Sequence, residues 1–446
     1  MATRGSRRAA VRTTSTRPPL ARQPIVRVRE RLARLRRWRP RPWRLALEIL
    51  AALLTVQAVV LAVLSALAAQ RKRRSPERGF PYLEPSEIAV EGNALQLYSY
   101  GQDLYDDMIA AIDGARETVF MNSFIWKGDA VGRRFKDHLA RKAAEGVRVC
   151  VIFDRFANFV VPRQFQRDFP NGIEVLRYWP FSRPWHVLDP RHYALDHRKL
   201  LVVDGHMAFI GGYNIGQLYA TKWRDTHLRI VGPEAADAAQ AFVDFWDRHQ
   251  PRGRRLGLRF PRRFQPAVGL RTNDIGRLVF PIRDMYIAAI DRAQDHIYIT
   301  NAYFIPDRTL LGALIAAARR GVDVQILVPW ISNHIAADWA ARGYFDDCLR
   351  AGIRIFAYKD AMIHAKTATI DGVWSTLGTA NLDRLSEVGN YEINVEIYDA
   401  AFARQMELLF DTDKTNTFEL TSDHWRARPW YVKASELLLA PLRPAL

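Results

Sequence analysis

The chain has 446 residues, of which 49% are hydrophobic, 25% are charged and two are cysteines. At about 100–200 residues per domain, this length predicts two or three domains with a well-buried core. The composition excludes a disordered chain, a collagen-like repeat and a disulfide-rich scaffold.

The formal net charge of +18 is concentrated at the N-terminus. Residues 1–78 hold 20 of the 65 Lys and Arg residues but only 3 of the 47 Asp and Glu residues, so this segment has a net charge of +17 and the remainder +1. An enzyme that binds nucleic acid normally carries its positive surface on the folded domain. The charge distribution therefore argues against nucleic acid as a partner.

The N-terminal segment divides by composition into a tail, an apolar stretch and a linker. Residues 1–44 contain 15 Arg and one acid, which predicts a disordered tail. Residues 45–69 are apolar except for Glu48, and 25 residues in a helix suffice to span a bilayer core of about 30 Å. We expect an uncleaved, single-pass transmembrane helix followed by a linker at 70–89; a cleaved signal or transit peptide is the alternative.

Basic residues flank the apolar stretch on both sides, with four of them at positions 71–74. Their count favours a cytoplasmic N-terminus by a small margin, which puts the rest of the chain outside the cytoplasm, so the side of the membrane that holds the catalytic body stays open. The oligomeric state is open as well.

The rest of the chain repeats itself. Residues 108–121 recur as 286–299, and residues 144–153 recur as 319–328. Each first segment has the pattern of an amphipathic helix that leads into a buried strand, and each second segment that of a helix end, a Gly cap and another strand. The repeats predict two pseudo-symmetric α/β sandwich halves, at 90–252 and 267–446, joined by an Arg-rich linker at 253–266.

Polar residues recur in the two halves at a constant offset of 167 positions. The pattern His-x-Lys-x4-Asp occurs twice, and three more positions keep the offset beyond it. A single His-x-Lys on a strand is usually surface decoration, but matched copies among apolar neighbours are hard to ascribe to packing. The recurring pairs are His197 with His364, Lys199 with Lys366, Asp204 with Asp371, Gly211 with Gly378, Asn214 with Asn381, and Asp225 with Glu392.

The spacing predicts a shared site for an anion. Residues i and i+2 on a strand face the same way, so each His projects beside its own Lys. If the halves pack about a pseudo-two-fold axis, two imidazoles and two ammonium groups meet in one cleft, which suits a phosphodiester whose charge grows in the transition state.

The other recurring residues have expected roles in the same site. Asn214 and Asn381 supply amide donors, and Asp225 and Glu392 orient the imidazoles. Asp204 and Asp371 belong to the candidate catalytic motif, but we expect them to hold the strand-turn rather than touch substrate.

No metal or nucleotide cofactor is predicted. The residue two positions after each His is Lys, which does not bind metal while charged, and no Cys or His pair has ligand spacing. The glycine-rich stretch 211–216 matches neither a P-loop nor a dinucleotide-binding fingerprint.

The duplicated motif resembles the hallmark of the phospholipase D superfamily, over residues 90–446. Residues 223–233, 378–383, 390–394 and 435–442 are similar to the bacterial cardiolipin synthase branch. This resemblance implies a transferase of the bacterial inner membrane that makes cardiolipin from phosphatidylglycerol in two steps, through a phosphohistidine. It further implies His197 as the nucleophile and His364 as the acid and then the base, with ethanolamine or another alcohol as a possible second acceptor.

The chain departs from that branch at two places. Arg384-Leu385-Ser386 stands where the branch usually has Arg-Ser, and one apolar span stands where many relatives have two. A hydrolytic phospholipase D and a metal-independent nuclease of the same superfamily are the alternative functions. The aromatic loop 179–196 is interpreted as an acyl-chain entrance or a packed connection, and the tail 434–446 as a membrane contact or a docked helix.

Overall fold

The computed structural model describes residues 42–74, 79–181, 186, 188–189, 192–261, 263 and 266–439. By internal contacts, the chain divides into two compact units between Val59 and Val60. Most of the predicted tail, residues 1–41, lies outside the described residues, as do parts of the loop 179–196 and residues 440–446 of the C-terminal tail.

The predicted apolar span lies inside one long helix, α1 (Pro42–Arg74). Its segment Trp43–Val60 is long and apolar enough to cross a membrane, by length and composition. It is the one such helix among the described residues.

The two halves of the second unit each contain one eight-stranded mixed sheet. The strands of the first sheet, in spatial order, are β1 (Glu87–Val90), β2 (Asn93–Tyr98), β9 (His227–Val231), β7 (Met207–Gly211), β6 (Leu200–Val203), β3 (Thr118–Ser123), β4 (Arg148–Asp154) and β5 (Ile173–Tyr178). Those of the second are β10 (Val268–Asn273), β17 (Glu392–Tyr398), β16 (Trp374–Gly378), β15 (Lys366–Ile370), β11 (His296–Asn301), β12 (Asp323–Pro329), β13 (Arg354–Tyr358) and β18 (Thr417–Leu420).

Seven strands match between the sheets, position by position. In the first half β3, β4 and β5 run parallel and the other neighbours are antiparallel, and β11, β12 and β13 do the same in the second. The first sheet adds β1 at one edge, and the second adds β18 at the other. The predicted fold class, two pseudo-symmetric α/β halves, is confirmed.

Helices cover the sheets. Those of the first half are α2 (Gly101–Gly114), α3 (Ala130–Ala144), α4 (Arg163–Arg167), α5 (Gln217–Thr221) and α6 (Ala235–His249), with a 3₁₀ turn at Arg252–Arg254. Those of the second half are α7 (Pro281–Arg292), α8 (Arg308–Arg319), α9 (Ile335–Arg350), α10 (Arg384–Val388), α11 (Ala400–Lys414), α12 (Ser422–Arg426) and α13 (Trp430–Leu439).

The repeated helix-to-strand segments fold alike because their ends carry the same signals. Asp129 caps α3 by accepting a hydrogen bond from an amide of the first turn, and Asp307 caps α8 in the same way. After each helix a glycine with positive φ, Gly146 at 91° and Gly321 at 97°, turns the chain into β4 or β12.

The halves share a hydrophobic core. Residues of α6 and α11 pack between the two sheets, together with side chains from β7, β9 and β17. Phe242 of α6 stacks on Phe120 of β3 with 4.9 Å between ring centroids, and Phe402 and Met406 bring α11 into the same cluster. The helices α2 and α3, and α7 to α9, cover the outer faces with separate cores. The shared core holds the motif strands of the two halves against each other.

A buried ion pair also joins the halves. Arg224 lies in β8 (Trp223–Arg224), which pairs with β14 (Met362–Ile363) of the second half. Its guanidinium is fully buried and makes two 2.8 Å hydrogen bonds to the carboxylate of Asp413 on α11. A bidentate geometry of this kind compensates the loss of hydration of both charges.

We predict that Arg224→Met lowers the free energy of unfolding by about 3–5 kcal/mol, because it leaves the Asp413 carboxylate buried without a partner. Arg224→Met/Asp413→Leu removes both charges and should recover most of this loss. The measurement is denaturant unfolding of the full chain in detergent micelles, followed by tryptophan fluorescence. Glu419→Gln, which breaks an exposed pair with Arg354, is the control and should cost about 1 kcal/mol or less. Equal effects of Arg224→Met and Glu419→Gln would contradict the prediction.

Candidate active site

The two His-x-Lys motifs lie at equivalent places in the two sheets. His197 and Lys199 come directly before β6, whereas His364 directly follows β14 and Lys366 is the first residue of β15. All four side chains are buried. Lys366 contributes to the electrostatic environment of His197, and Lys199 to that of His364, so the motifs form one site rather than two.

The His–carboxylate pairs cross between the halves. Nδ1 of His197, in the first half, lies 3.0 Å from both carboxylate oxygens of Glu392 in the second. Nδ1 of His364, in the second half, lies 2.6 Å from Oδ2 of Asp225 in the first. Each carboxylate is thus positioned to orient the imidazole of the opposite half, and Nδ1–H donation leaves Nε2 as the basic nitrogen.

The backbone repeats this exchange. The amide of His197 donates to the carbonyl of Tyr391, at 3.0 Å, and the amide of His364 donates to the carbonyl of Arg224, at 2.7 Å. Tyr391 and Arg224 directly precede the two carboxylates, Glu392 and Asp225. Each histidine is therefore held at its backbone and at its ring by two consecutive residues of the other half.

The two carboxylates are supported differently. Thr379 donates its hydroxyl to Oε2 of Glu392 at 2.5 Å. At the matching position the first half has Gly212, where a Cβ would lie only 2.0 Å from Oδ1 of Asp225. Asp225 instead accepts a 2.8 Å hydrogen bond from the amide of Thr226. The shorter Asp225 side chain therefore requires glycine at position 212. At the matching position beside the longer Glu392 side chain, the chain has the hydroxyl of Thr379.

Burial is the main influence on the imidazoles. It lowers the pKa of His197, a trend that Glu392 opposes and Lys199 reinforces. Burial, and next Lys366, lower the pKa of His364 to about 3 even though Asp225 opposes the shift. Burial raises the pKa of the Asp225 carboxyl, but His364, the ammonium of Lys366 and the amide of Thr226 together lower it by more, so the net shift is downward. Both imidazoles are therefore neutral at neutral pH.

The two ammonium groups lie against the histidines. Nζ of Lys199 donates to the carbonyl of His197 at 2.6 Å, and Nζ of Lys366 lies 3.1 Å from both ring nitrogens of His364. Burial lowers the pKa of Lys199 to about 7 and that of Lys366 to about 8, despite the two nearby carboxylates. The positive charge of the site therefore titrates close to neutral pH.

The two motif asparagines are also buried, and aromatic rings border the histidines. Oδ1 of Asn214 accepts a 3.0 Å hydrogen bond from the amide of Ile125, whereas Oδ1 of Asn381 is buried with no partner among the described residues. The ring of Phe124 lies 4.5 Å from that of His197, and Trp223 and Tyr303 border His364 at 5.2 and 6.1 Å.

Asp204 and Asp371 lie at turns, apart from the imidazoles. Each adopts a positive φ and accepts three backbone amide hydrogen bonds from the loop before the neighbouring strand, β3 or β11. Burial raises the pKa of Asp204, but the three amide hydrogen bonds lower it by a larger amount, so the net shift is downward. Their contacts are those of turn residues, and among the described residues neither of them has a hydrogen bond to a motif histidine or motif lysine.

Sequence reasoning missed several residues that build the site. Thr379 lies 167 positions after Gly212, and Tyr391 lies 167 positions after Arg224. The constant offset of the motif residues could therefore have identified both pairs. Asp383 is buried, caps α10 through the amide of Ser386, and has a pKa raised to about 7 by burial. Among the described residues, no group of three or more His, Cys, Asp or Glu side chains is arranged to hold a metal ion.

Comparison with known proteins agrees with this architecture. The family model described as "Cardiolipin synthase, PLD-like domain" matches residues 108–246 and 286–414. The crystal structure of a phosphatidylserine synthase from Haemophilus influenzae Rd KW20 is similar in fold, with a TM-score of 0.58 and 17% identity, over 84% of this chain and 96% of that one. Fold and site therefore define a phospholipase D-like enzyme with two halves.

Curated relatives narrow the family further. The cardiolipin synthase of Listeria monocytogenes serotype 4a (strain HCC23) is 32% identical over 374 residues, which cover 80% of this chain and 77% of the relative. That of Staphylococcus aureus (strain Mu50 / ATCC 700699) is 32% identical over 370 residues, 79% of this chain and 74% of the relative. The chain belongs to the cardiolipin synthase family of phospholipase D-like enzymes, and it is associated with membranes.

We predict that kcat/KM falls as the pH rises through about 7 to 8. Lysine is charged below its pKa, so with pKa values of about 7 and 8 the two site lysines lose their charge over this range, and with it their attraction for a phosphate. The acid limb should lie below pH 6.5, because the neutral imidazoles persist to lower pH than usual.

The pH profile of Lys366→Arg tests this assignment, because arginine stays charged. In whatever activity remains, the part of the basic limb near pH 8 should disappear, while the part near pH 7, which Lys199 sets, should remain. Lys136→Met is the control. Burial lowers the pKa of Lys136 to about 8 as well, but its ammonium binds the carbonyls of Phe165 and Asp168, outside the site. Loss of the part near pH 8 in Lys136→Met, with an unchanged profile in Lys366→Arg, would contradict the assignment.

Proposed function

We propose that the chain transfers a phosphatidyl group from one phosphatidylglycerol to another, releasing glycerol and forming cardiolipin, through a phosphohistidine. The observation that carries this proposal is the pair of neutral imidazoles, each oriented at Nδ1 by a carboxylate of the other half, beside two buried lysines. Such a site binds a phosphodiester anion and offers a nucleophile on one side and an acid–base group on the other.

In the first step, Nε2 of His197 attacks phosphorus and the bond to the glycerol oxygen breaks. Glu392 accepts the Nδ1–H hydrogen bond and stabilises the positive charge that develops on this ring. His364 gives its proton to the leaving oxygen. The bound diester makes this proton available, because an anion beside Lys199 and Lys366 opposes their effect on the pKa of His364.

In the second step, a hydroxyl of the incoming phosphatidylglycerol loses its proton to His364 and attacks the phosphohistidine. The phosphorus–nitrogen bond breaks, and His197 returns to its neutral state. The lysines, with Asn214 and Asn381, bind the phosphoryl oxygens as their charge grows. Asp204 and Asp371 act through the turns that position the motif strands.

Arg384-Leu385-Ser386, where the sequence departs from its branch, forms the start of α10, with Ser386 buried and Leu385 exposed. We infer that phosphatidylglycerol is the main acceptor and that ethanolamine can enter the same cleft. We further propose residues 45–69 as a single-pass anchor in a bacterial inner membrane, with 90–252 and 267–446 as the two domains that form the site.

We predict that the full chain produces cardiolipin in a host that lacks its own cardiolipin synthases and contains phosphatidylglycerol. Lipid mass spectrometry is the measurement, with and without added ethanolamine. His197→Ala and His364→Ala should each reduce the product at least 10²-fold, because one lacks the nucleophile and the other the acid–base group.

The other lipid outcomes are equally informative. Phosphatidic acid without cardiolipin would identify a hydrolase, and an unchanged lipid profile would favour an assay on single- and double-stranded DNA without metal. Cardiolipin at the normal level in His197→Ala would contradict the mechanism.

A further inference from the structure

We propose that the loop at residues 155–162, here called the rim loop, inserts its apolar tip into the lipid bilayer and thereby places the mouth of the site on the membrane surface. This inference rests on the proposed function, since it names the surface from which the substrate enters. Phe159 and Val160 at the tip are 79% and 78% exposed, and Phe156 is also exposed. Large apolar side chains grouped at this exposure mark a contact surface.

The rim loop is held in place from below rather than loosely connected. Nδ2 of Asn158 donates to the carbonyls of Phe124 and Asp154, at 2.7 and 2.6 Å, and its Oδ1 accepts from the amide of Trp126 at 2.8 Å. Gln166 adds hydrogen bonds to two carbonyls of the loop. These hydrogen bonds hold the backbone on both sides of the tip, and the side chains of Phe159 and Val160 remain exposed to solvent.

This anchoring leads directly to the site. The carbonyl that Asn158 binds belongs to Phe124, whose ring lies 4.5 Å from the ring of His197. Asp154, at the base of the loop, accepts a hydrogen bond at 3.0 Å from the amide of Asp196, the residue before His197. A displacement of the loop would therefore reach His197 by two short routes.

The apolar surface continues from the rim loop as a row of aromatic rings. Adjacent rings have centroids 5.2–6.4 Å apart, and the row ends four residues before His197. The exposed side chain of Leu188 lies in the same chain segment. The rings of this row belong to Phe156, Trp179, Phe181 and Tyr193.

Three observations favour a bilayer as the occupant. Arg155, Arg163 and Arg167 are exposed in or beside the loop, where Asp168 is the one acid between positions 155 and 170, so the rim suits anionic headgroups. An apolar tip with arginines at its border is typical of interfacial insertion. The same chain also carries a helix long and apolar enough to span a membrane.

The test compares two forms of one donor in proteoliposomes that contain the full chain. Long-chain phosphatidylglycerol must be taken from the bilayer, whereas dihexanoyl phosphatidylglycerol below its micellar concentration arrives from water. Phe159→Asp/Val160→Asp should reduce kcat/KM at least tenfold for the long-chain donor and less than twofold for the short-chain one. The matched control is Val373→Asp/Leu408→Asp, two exposed apolar residues on the β15–β16 turn and on α11, which should change neither.

Each result decides between specific accounts. Equal losses with both donors would mean that the loop only positions the site, and an unchanged long-chain rate would mean that it does not insert; either overturns the inference. If the unaltered chain used neither donor, the proposed function itself would fail. Insertion of the rim loop would then be tested separately, by the fluorescence measurement that follows.

Insertion is measured without turnover by an environment-sensitive fluorophore on Phe159→Cys. The two native cysteines, Cys150 and Cys348, are fully buried, so labelling is selective. We expect a blue shift when the protein moves from detergent to anionic vesicles, and none for the label on Val373→Cys. Equal spectra for the two labelled positions in vesicles would overturn the inference, and a shift abolished by dilution of the protein would indicate a second copy as the occupant.

Discussion

The exchange of carboxylates between the halves is the interaction on which the site depends. Each histidine donates a backbone hydrogen bond and a ring hydrogen bond to two consecutive residues of the opposite half. Neither half can therefore orient its own imidazole, although each folds the motif strand that holds it. The shared core and the buried Arg224–Asp413 pair follow from this requirement, because ring positions within a few tenths of an ångström need a rigid interface.

The two crossed pairs are not identical, and this difference suits two chemical roles. The short side chain of Asp225 fits against Gly212, and its carboxylate lies 2.6 Å from Nδ1 of His364. The longer side chain of Glu392 accepts a hydrogen bond from Thr379, and its carboxylate lies 3.0 Å from Nδ1 of His197. A pseudo-symmetric site with equal imidazoles would offer two equal nucleophiles. Phosphatidyl transfer needs one nucleophile and one acid–base group, so unequal carboxylate environments are the expected adaptation.

The two-half fold and the pairing of the motif residues were predictable from the sequence, whereas the way in which the halves exchange carboxylates was not. The offset of 167 paired the motif residues correctly, and Gly146 and Gly321 marked the helix ends that the structure shows. The direction of the exchange was not predictable, because the same spacing fits a carboxylate beside its own histidine or beside the other one.

Features without a counterpart in the repeat were also invisible in the sequence. The Arg224–Asp413 contact joins residues 189 positions apart, and no periodic pattern links them. The exposure of Phe159 and Val160 is another such feature, since a buried strand or loop would contain the same residue types. Only the packing of the whole unit decides which apolar side chains remain outside.

Quench-flow kinetics with phosphatidyl-p-nitrophenol tests the central claim most directly. This leaving group needs no acid, so Asp225→Asn should retain a fast burst of p-nitrophenol and accumulate the phosphatidyl group on His197, as mass spectrometry of the quenched enzyme would show. Glu392→Gln should lose the burst, because the proposed nucleophile, His197, is no longer oriented. A burst retained in Glu392→Gln and lost in Asp225→Asn, or an adduct on His364, would contradict the assignment of roles across the two halves.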